Sequence, residues 1–288
     1  MIEQAEQDSQ VYLNGEFLRL ADAKVSVLDR GFIFGDGIYE VVPVYEGRPF
    51  RMDEHLARLA RSLAALRIAD PLSGAQWVEL VTRLAADSPQ PTCLVYIQVT
   101  RGVARRDHGF PVTPVTPTVF AMVNRFTPPS AQQRERGLGA ITIPDERWLH
   151  CEIKSISLLG NVLAKQQAVE AGVAEAIQFR DDWLTEGASA NVWVVVDGVL
   201  LAPPRNHLIL EGIRYALMLE LADSAGIPVQ MRQVSRAEVE AASEVMITSA
   251  SKEVTAIVEL DGRPVGSGRP GPVYDALRKG YDARIAAL

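Results

Sequence analysis

Lysine is scarce in this chain, five residues of 288 against 24 arginines, so chemistry that needs a primary amine has few candidates. Cysteine is scarcer still. Cys93 and Cys151 lie in stretches that read as strand, which fits a reducing compartment better than a disulfide framework. No basic run exceeds Arg105-Arg106, and the formal net charge is −7 with a pI near 5.3. That balance leaves no electrostatic footprint for nucleic acid or an anionic membrane, and points to small molecules or other proteins as partners. No apolar stretch approaches the length of a bilayer span, and residues 1–10 are too acidic and polar for a signal peptide, so a cytoplasmic location is expected. His55, His108, His150 and His207 lack metal-site spacing, and no acidic calcium-type ladder occurs, so no metal is expected.

What the chain does have is 48% hydrophobic residues over a length that suits one large or two medium domains. Hairpins are expected around Asn14-Gly15 and Glu46-Gly47, helices from about residue 56 to 66 and 73 to 86, and long strands over 92–101 and 116–124. Pro128-Pro129 continues neither helix nor central strand, so a linker is placed at 125–131, between an N-terminal domain (1–124) and a C-terminal domain (132–288). The second half reads as strands at 139–143, 151–156, 176–179, 191–196, 199–202, 229–234, 244–248 and 254–260. Helices at 161–171 and 212–225 and at the C-terminus complete it. Grouped strands and helices with frequent hairpins predict two α+β domains, not a doubly wound sheet.

Four of the lysines sit in polar or turn-like surroundings, whereas Lys154 lies in the largely apolar stretch from Trp148 to Leu159. An amine that loses hydration there is favoured as the free base, the form that attacks an aldehyde. A strand-end lysine reaching to water fits the same segment. Glu186 opens a loop of small residues (Gly187-Ala188-Ser189-Ala190) ahead of an apolar strand. Such a carboxylate could pair with a protonated pyridine nitrogen, or simply be a solvated turn residue. Gly212-Ile213-Arg214 begins a long helix whose free amides suit a phosphate, and Ser249-Ala250 ends a strand where a second wall of an anion site could stand. Arg106 and His108, two residues apart in a cationic loop, point the same way if extended and could grip a carboxylate. The glycine-punctuated loop from Asp29 enters a strand at Tyr39, whose hydroxyl could face a cleft.

Taken in order along nearly the whole chain, these segments resemble the class IV (fold type IV) pyridoxal phosphate enzymes, and most closely the D-amino acid aminotransferases. The carriers are Asp29-Arg30-Gly31 through Tyr39-Glu40, the segment from Glu54 to Leu59, Val99-Thr100-Arg101-Gly102, Arg106 with His108, Arg147-Trp148-Leu149 with Lys154, Leu158-Leu159-Gly160-Asn161, Thr185-Glu186-Gly187 with Asn191, and Gly212-Ile213. The resemblance implies pyridoxal 5'-phosphate as cofactor, held by Lys154 as an internal aldimine, and ping-pong transfer from D-alanine, D-glutamate or similar donors to a 2-oxo acid. Lys154 is then base and acid in turn, and Glu186 pairs with the pyridine nitrogen. Arg58, Gly212, the Ile213 amide, Arg214, Ser249 and Ala250 bind the phosphate. Tyr39, Arg106 and His108 hold the substrate α-carboxylate, which decides the Cα hydrogen that faces the lysine. Arg147 supports the electrostatics, and the protein is a homodimer.

Two positions depart from the family pattern: Arg214 and Ala250 stand where phosphate-binding hydroxyls are expected. Arg105 beside Arg106 leaves a one-residue ambiguity of register. Branched-chain L-amino acid aminotransferases and aminodeoxychorismate lyase share the fold and are the competing activities. A cofactor-free binding protein is the alternative of a different class, and would purify colourless.

Overall fold

The computed structural model describes residues 7–288, and the chain forms two compact units. The first contains the chain up to Phe126 together with Ile153–Ser157, and the second contains Thr127–Glu152 and Leu158–Leu288. Both mix helices with sheet, an α+β architecture.

In the first unit β1 (Gln10–Leu13), β2 (Glu16–Arg19), β3 (Gly37–Tyr45), β4 (Arg48–Pro49), β5 (Cys93–Thr100) and β6 (Thr118–Arg125) form an antiparallel sheet in the order β2-β1-β6-β5-β3-β4. Its two tight hairpins use Asn14-Gly15 and Glu46-Gly47, all four residues at positive φ, the backbone that two-residue turns demand. Helices Met52–Ala65 and Gly74–Ala86 cover one face. The second begins with a capping box in which Ser73 and Gln76 satisfy each other's backbone amides. Ile38, Val42, Val44, Val95, Ile97 and Val99 meet Leu59, Leu63, Trp77 and Leu84 in one core cluster. Because strand side chains alternate, Ile38 and Glu40 share the core face of β3, while Tyr39 faces the other way and stacks on Tyr96 at 5.8 Å.

The second unit is built on a nine-stranded mixed sheet of β7 (Leu138–Pro144), β8 (Glu175–Arg180), β9 (Trp183–Gly187), β10 (Asn191–Val196), β11 (Val199–Ala202), β12 (Val229–Met231), β13 (Glu244–Ser249), β14 (Glu253–Leu260) and β15 (Arg263–Pro264). The order is β12-β11-β10-β13-β14-β7-β8-β9, with β15 paired to β14. Helices Leu159–Glu170, Ile213–Ser224 and Pro272–Ala286 are its long ones.

Several expectations are corrected. Residues 151–156 are not a strand. They form a turn with one bridge, Ser155 to Ile38, so Cys151 lies outside any strand whereas Cys93 is in β5. Lys154, assigned from the sequence to the C-terminal domain, belongs to the first unit, because Tyr39 N–H donates to the Lys154 carbonyl and Ile156 N–H to that of Gly37, each at 3.0 Å. Gly37 makes this approach possible: a Cβ there would lie 2.6 Å from the Val99 carbonyl oxygen and 3.0 Å from Ile156 Cδ1. The loop after Asp29 contains a short helix, Arg30–Phe34, capped by the Asp29 carboxylate on Gly31 N–H. Glu186 lies within β9 and does not open a loop.

Candidate active site

In the first unit the Lys154 amine lies over the Tyr39 ring, 4.0 Å from its centre, a cation–π contact on the face of β3 opposite Glu40. The Lys154 backbone is fixed on both sides, its carbonyl accepting from Tyr39 and its N–H donating to Ser62 Oγ at 3.3 Å. On the core face, Glu40 is fully buried and accepts Arg58 Nε at 2.7 Å and Nη2 at 2.9 Å, a two-pronged pair, with His55 Nδ1 at 2.8 Å. Burial pushes the Glu40 carboxyl up, but Arg58 and His55 outweigh it and hold it well below the usual carboxylate range. The structure thus places Arg58 in a buried ion pair, while its sequence gave no sign of the partner.

Arg106 and His108 stand on an exposed loop of the same unit, and both meet the Phe34 ring, Arg106 Cζ at 5.5 Å and the His108 ring at 5.4 Å. The pair expected from an extended segment is therefore gathered on one aromatic platform.

In the second unit Glu186 is fully buried on β9 and receives three donors: Arg147 Nη1 in a short contact, Asn191 Nδ2 at 3.2 Å and Leu210 N–H at 3.0 Å. Arg147 also grips Asp145, Nε to Oδ1 and Nη2 to Oδ2 at 2.9 Å each, and Thr185 Oγ1 donates to Asp145 at 2.8 Å. Burial raises the Glu186 carboxyl to about 7 against the pull of Arg147 and the Leu210 amide, and the nearby Asp145 charge adds to the rise. The Asp145 carboxyl moves the other way: burial raises it, but Arg147 and Thr185 bring it below its ordinary value.

Asn191 joins this carboxylate to the start of helix Ile213–Ser224. Its Nδ2 also donates to the Leu210 carbonyl at 2.8 Å, and its Oδ1 accepts Gly212 N–H at 3.2 Å. A Cβ on Gly212 would lie 2.2 Å from that oxygen, so the helix start closes on Asn191 only because the residue is glycine. Gly212 caps the helix without a side chain, leaving the first turn, Ile213 and Arg214, to present its amides. The Arg214 guanidinium is buried, donates from Nε and Nη2 to Tyr281 Oη at 3.3 and 3.2 Å, and reaches the Ala250 carbonyl at 3.4 Å. Where a hydroxyl was expected, arginine instead ties the helix start to the turn after β13, in which Ser249 Oγ accepts Lys252 N–H at 3.1 Å. Asp145 and the bonding roles of Thr185 and Asn191 were missed in the sequence. Thr185 and Asn191 stood in a motif, whereas Asp145 pairs with Arg147 two residues on but meets Thr185 from forty residues away, and no motif marks it.

The second unit thus holds a buried carboxyl raised to about 7 beside an open helix start, and the first holds an amine on an aromatic face. The family model described as amino-transferase class IV matches residues 37–260, and the chain belongs to that family. It is a pyridoxal phosphate-dependent aminotransferase of fold type IV.

Among its relatives, a D-alanine aminotransferase of Staphylococcus aureus (strain MSSA476) is 40% identical over 275 residues, 96% of this chain and 97% of that one. One of Staphylococcus epidermidis (strain ATCC 12228 / FDA PCI 1200) is 42% identical over 277 residues, covering 96% and 98%. Among solved structures, a branched-chain amino acid aminotransferase of Escherichia coli matches with a TM-score of 0.87 at 26% identity, over 96% of this chain and 94% of that one. A fold IV-transaminase from Curtobacterium pusillum matches with a TM-score of 0.79 at 25% identity, over 95% and 93%.

Proposed function

We propose that this chain transfers amino groups from D-amino acids of the D-alanine and D-glutamate class to 2-oxo acids by a ping-pong reaction, with Lys154 as its nucleophile and proton carrier. The observation that carries the reading is Glu186: a buried carboxyl at about 7, held by Arg147, Asn191 and a backbone amide, is the partner a pyridine nitrogen needs. The relatives that share about two residues in five are D-alanine aminotransferases, which supports the D-hand over the branched-chain L-amino acid alternative.

Pyridoxal phosphate, when bound, supplies an aldehyde and an electron-accepting ring. The donor set fits it: a primary amine (Lys154), an acid for the ring nitrogen (Glu186), and for the phosphate the helix start at Gly212 with the Ile213 amide, the turn at Ser249 and Ala250, and the cations Arg214 and Arg58. Lys154 Nζ takes the α-proton of the donor as base and delivers a proton to the α-carbon of the new amino acid as acid. Arg106, His108 and Tyr39 hold the α-carboxylate and so select the hydrogen that meets the lysine. Arg147 keeps Glu186 oriented and shares its charge with Asp145.

Two further assignments belong to this reading. The exposed apolar residues Leu159, Val162 and Leu163, at helical spacing in the first turns of Leu159–Glu170, support a homodimer. Two free, buried cysteines support a cytoplasmic location, and among the described residues no helix is long and apolar enough to cross a membrane.

The test is the absorbance spectrum of the purified protein before and after D-alanine, with L-alanine and L-leucine in parallel. A cofactor band that bleaches with D-alanine alone establishes cofactor, half-reaction and hand. Bleaching by L-leucine alone moves the chain to the branched-chain activity, and a colourless protein that the cofactor does not restore overturns the proposal.

A further inference from the structure

Arg30 is one of the most deeply buried cations of the first unit, at 3% exposure, and it takes no part in the reaction as proposed. It stands on the short helix Arg30–Phe34 and reaches the loop that carries Arg106 and His108. Nη1 donates to the Asp107 carbonyl at 2.6 Å and to that of Gly109 at 3.3 Å, and Nη2 to the His108 carbonyl at 3.5 Å. Three consecutive carbonyls of one exposed loop therefore converge on one guanidinium. The loop adds little of its own, an Asp107 carboxylate on Gly109 N–H at 3.0 Å.

The guanidinium is itself anchored. Its Nε donates to Asp36 Oδ2 at 2.8 Å, and the same carboxylate takes Arg101 Nε at 2.8 Å and Nη2 at 2.9 Å. Arg101 continues to the Leu66 and Arg67 carbonyls at the end of helix Met52–Ala65, at 2.8 and 3.2 Å. The exposed loop is thereby referred to the packed core through an Arg–Asp–Arg bridge. Phe34, one helical turn beyond Arg30, completes the arrangement: Arg30 Cζ lies 4.8 Å from its ring centre, and Arg106 and His108 approach the same ring.

We infer that Arg30, with Phe34 as its platform, is a positioning residue that sets Arg106 and His108 to receive the α-carboxylate of both the amino donor and the 2-oxo acceptor. The inference rests on the assignment of Arg106 and His108 to that carboxylate. Only a planar, multiply donating head serves Asp36 and three carbonyls together. A lysine ammonium is a point charge with three donors and leaves part of the loop unheld. Because both half-reactions present an α-carboxylate, loss of the clamp acts on binding of both substrates and leaves the proton transfer at Lys154 in place.

The experiment is steady-state kinetics with D-alanine and 2-oxoglutarate on Arg30→Lys, Phe34→Leu and Arg106→Met holoenzymes, with cofactor absorbance and thermal melting recorded for each. Arg30→Lys is expected to raise KM for both substrates together, on the order of 10- to 100-fold as misplacement of a binding group does, with kcat changed only a few-fold and the cofactor band intact. Phe34→Leu keeps every Arg30 hydrogen bond and is expected to show the same KM pattern, smaller. If Arg30→Lys does not fold, Phe34→Leu decides by itself. Unchanged KM in the folded Arg30 and Phe34 variants, or a loss confined to kcat, overturns the clamp while a raised KM in Arg106→Met keeps the carboxylate assignment. An Arg106→Met enzyme with unchanged KM removes that assignment, and the clamp with it.

Discussion

Asn191 donates to the Glu186 carboxylate at 3.2 Å while its carbonyl oxygen accepts the N–H of Gly212 at 3.2 Å, so one buried amide couples the acidic residue of β9 to the start of the helix beyond. Removing that amide disturbs two proposed cofactor contacts together.

Asn191→Ala leaves the Leu210 carbonyl and the Gly212 N–H without their side-chain partner in a partly buried region. The expected cost is about 1–3 kcal/mol of stability, read from urea denaturation of the cofactor-free protein. Cofactor retention on dialysis should weaken as well. A variant as stable as the parent contradicts the coupling.

The raised carboxyl of Glu186 makes stability pH-dependent in a stated direction. The folded chain keeps a proton that the unfolded chain releases above its ordinary value of 4.5, so this group's stabilising contribution is fully present below that value and is lost as pH rises through about 7. Wild type and Glu186→Gln, both cofactor-free, should therefore diverge between pH 5 and pH 7, with wild type losing ground to the variant as pH increases, and run parallel above neutrality. Urea midpoints across that range are the check. A parallel course throughout places the Glu186 carboxyl at its ordinary value.

Lys154→Ala removes the amine above Tyr39. Turnover of D-alanine is expected to fall by at least the ~100- to 10,000-fold that a positioned proton carrier supplies, and added methylamine should restore part of it. Normal turnover would falsify the assignment of Lys154.

Leu163→Glu puts a charge on the exposed apolar stretch of helix Leu159–Glu170. If the proposed homodimer uses this helix, light scattering should report a shift toward monomer relative to the parent, with unchanged far-ultraviolet circular dichroism. A variant that stays dimeric removes this helix from the interface.

Local signals carried most of the elements. Asn14-Gly15 and Glu46-Gly47 sit at positive φ in two-residue turns, and Ser73 caps its helix, because these outcomes depend on neighbours within a few residues. The short helix after Asp29 was missed because its cap is a single Asp29 to Gly31 bond in a glycine-rich segment. Residues 151–156 read as a strand from their apolar composition, yet only Ser155 pairs, since the segment is bounded by turns and meets just the beginning of β3.

By itself the sequence determined the α+β class and most hairpins and helices, because periodicity, turn chemistry and capping are written in adjacent residues, and its order of motifs carried the resemblance that points to Lys154, Glu186 and the Arg106/His108 pair. Only the tertiary structure decided which partners those residues have: Glu40 for Arg58, Arg147 and Asn191 for Glu186, Tyr281 and the Ala250 carbonyl for Arg214, Arg30 beneath the Arg106 loop. The reason is physical. A buried charge is tolerable only where folding brings an opposite charge or several donors to it, and those arrive from positions tens of residues away that no local pattern records.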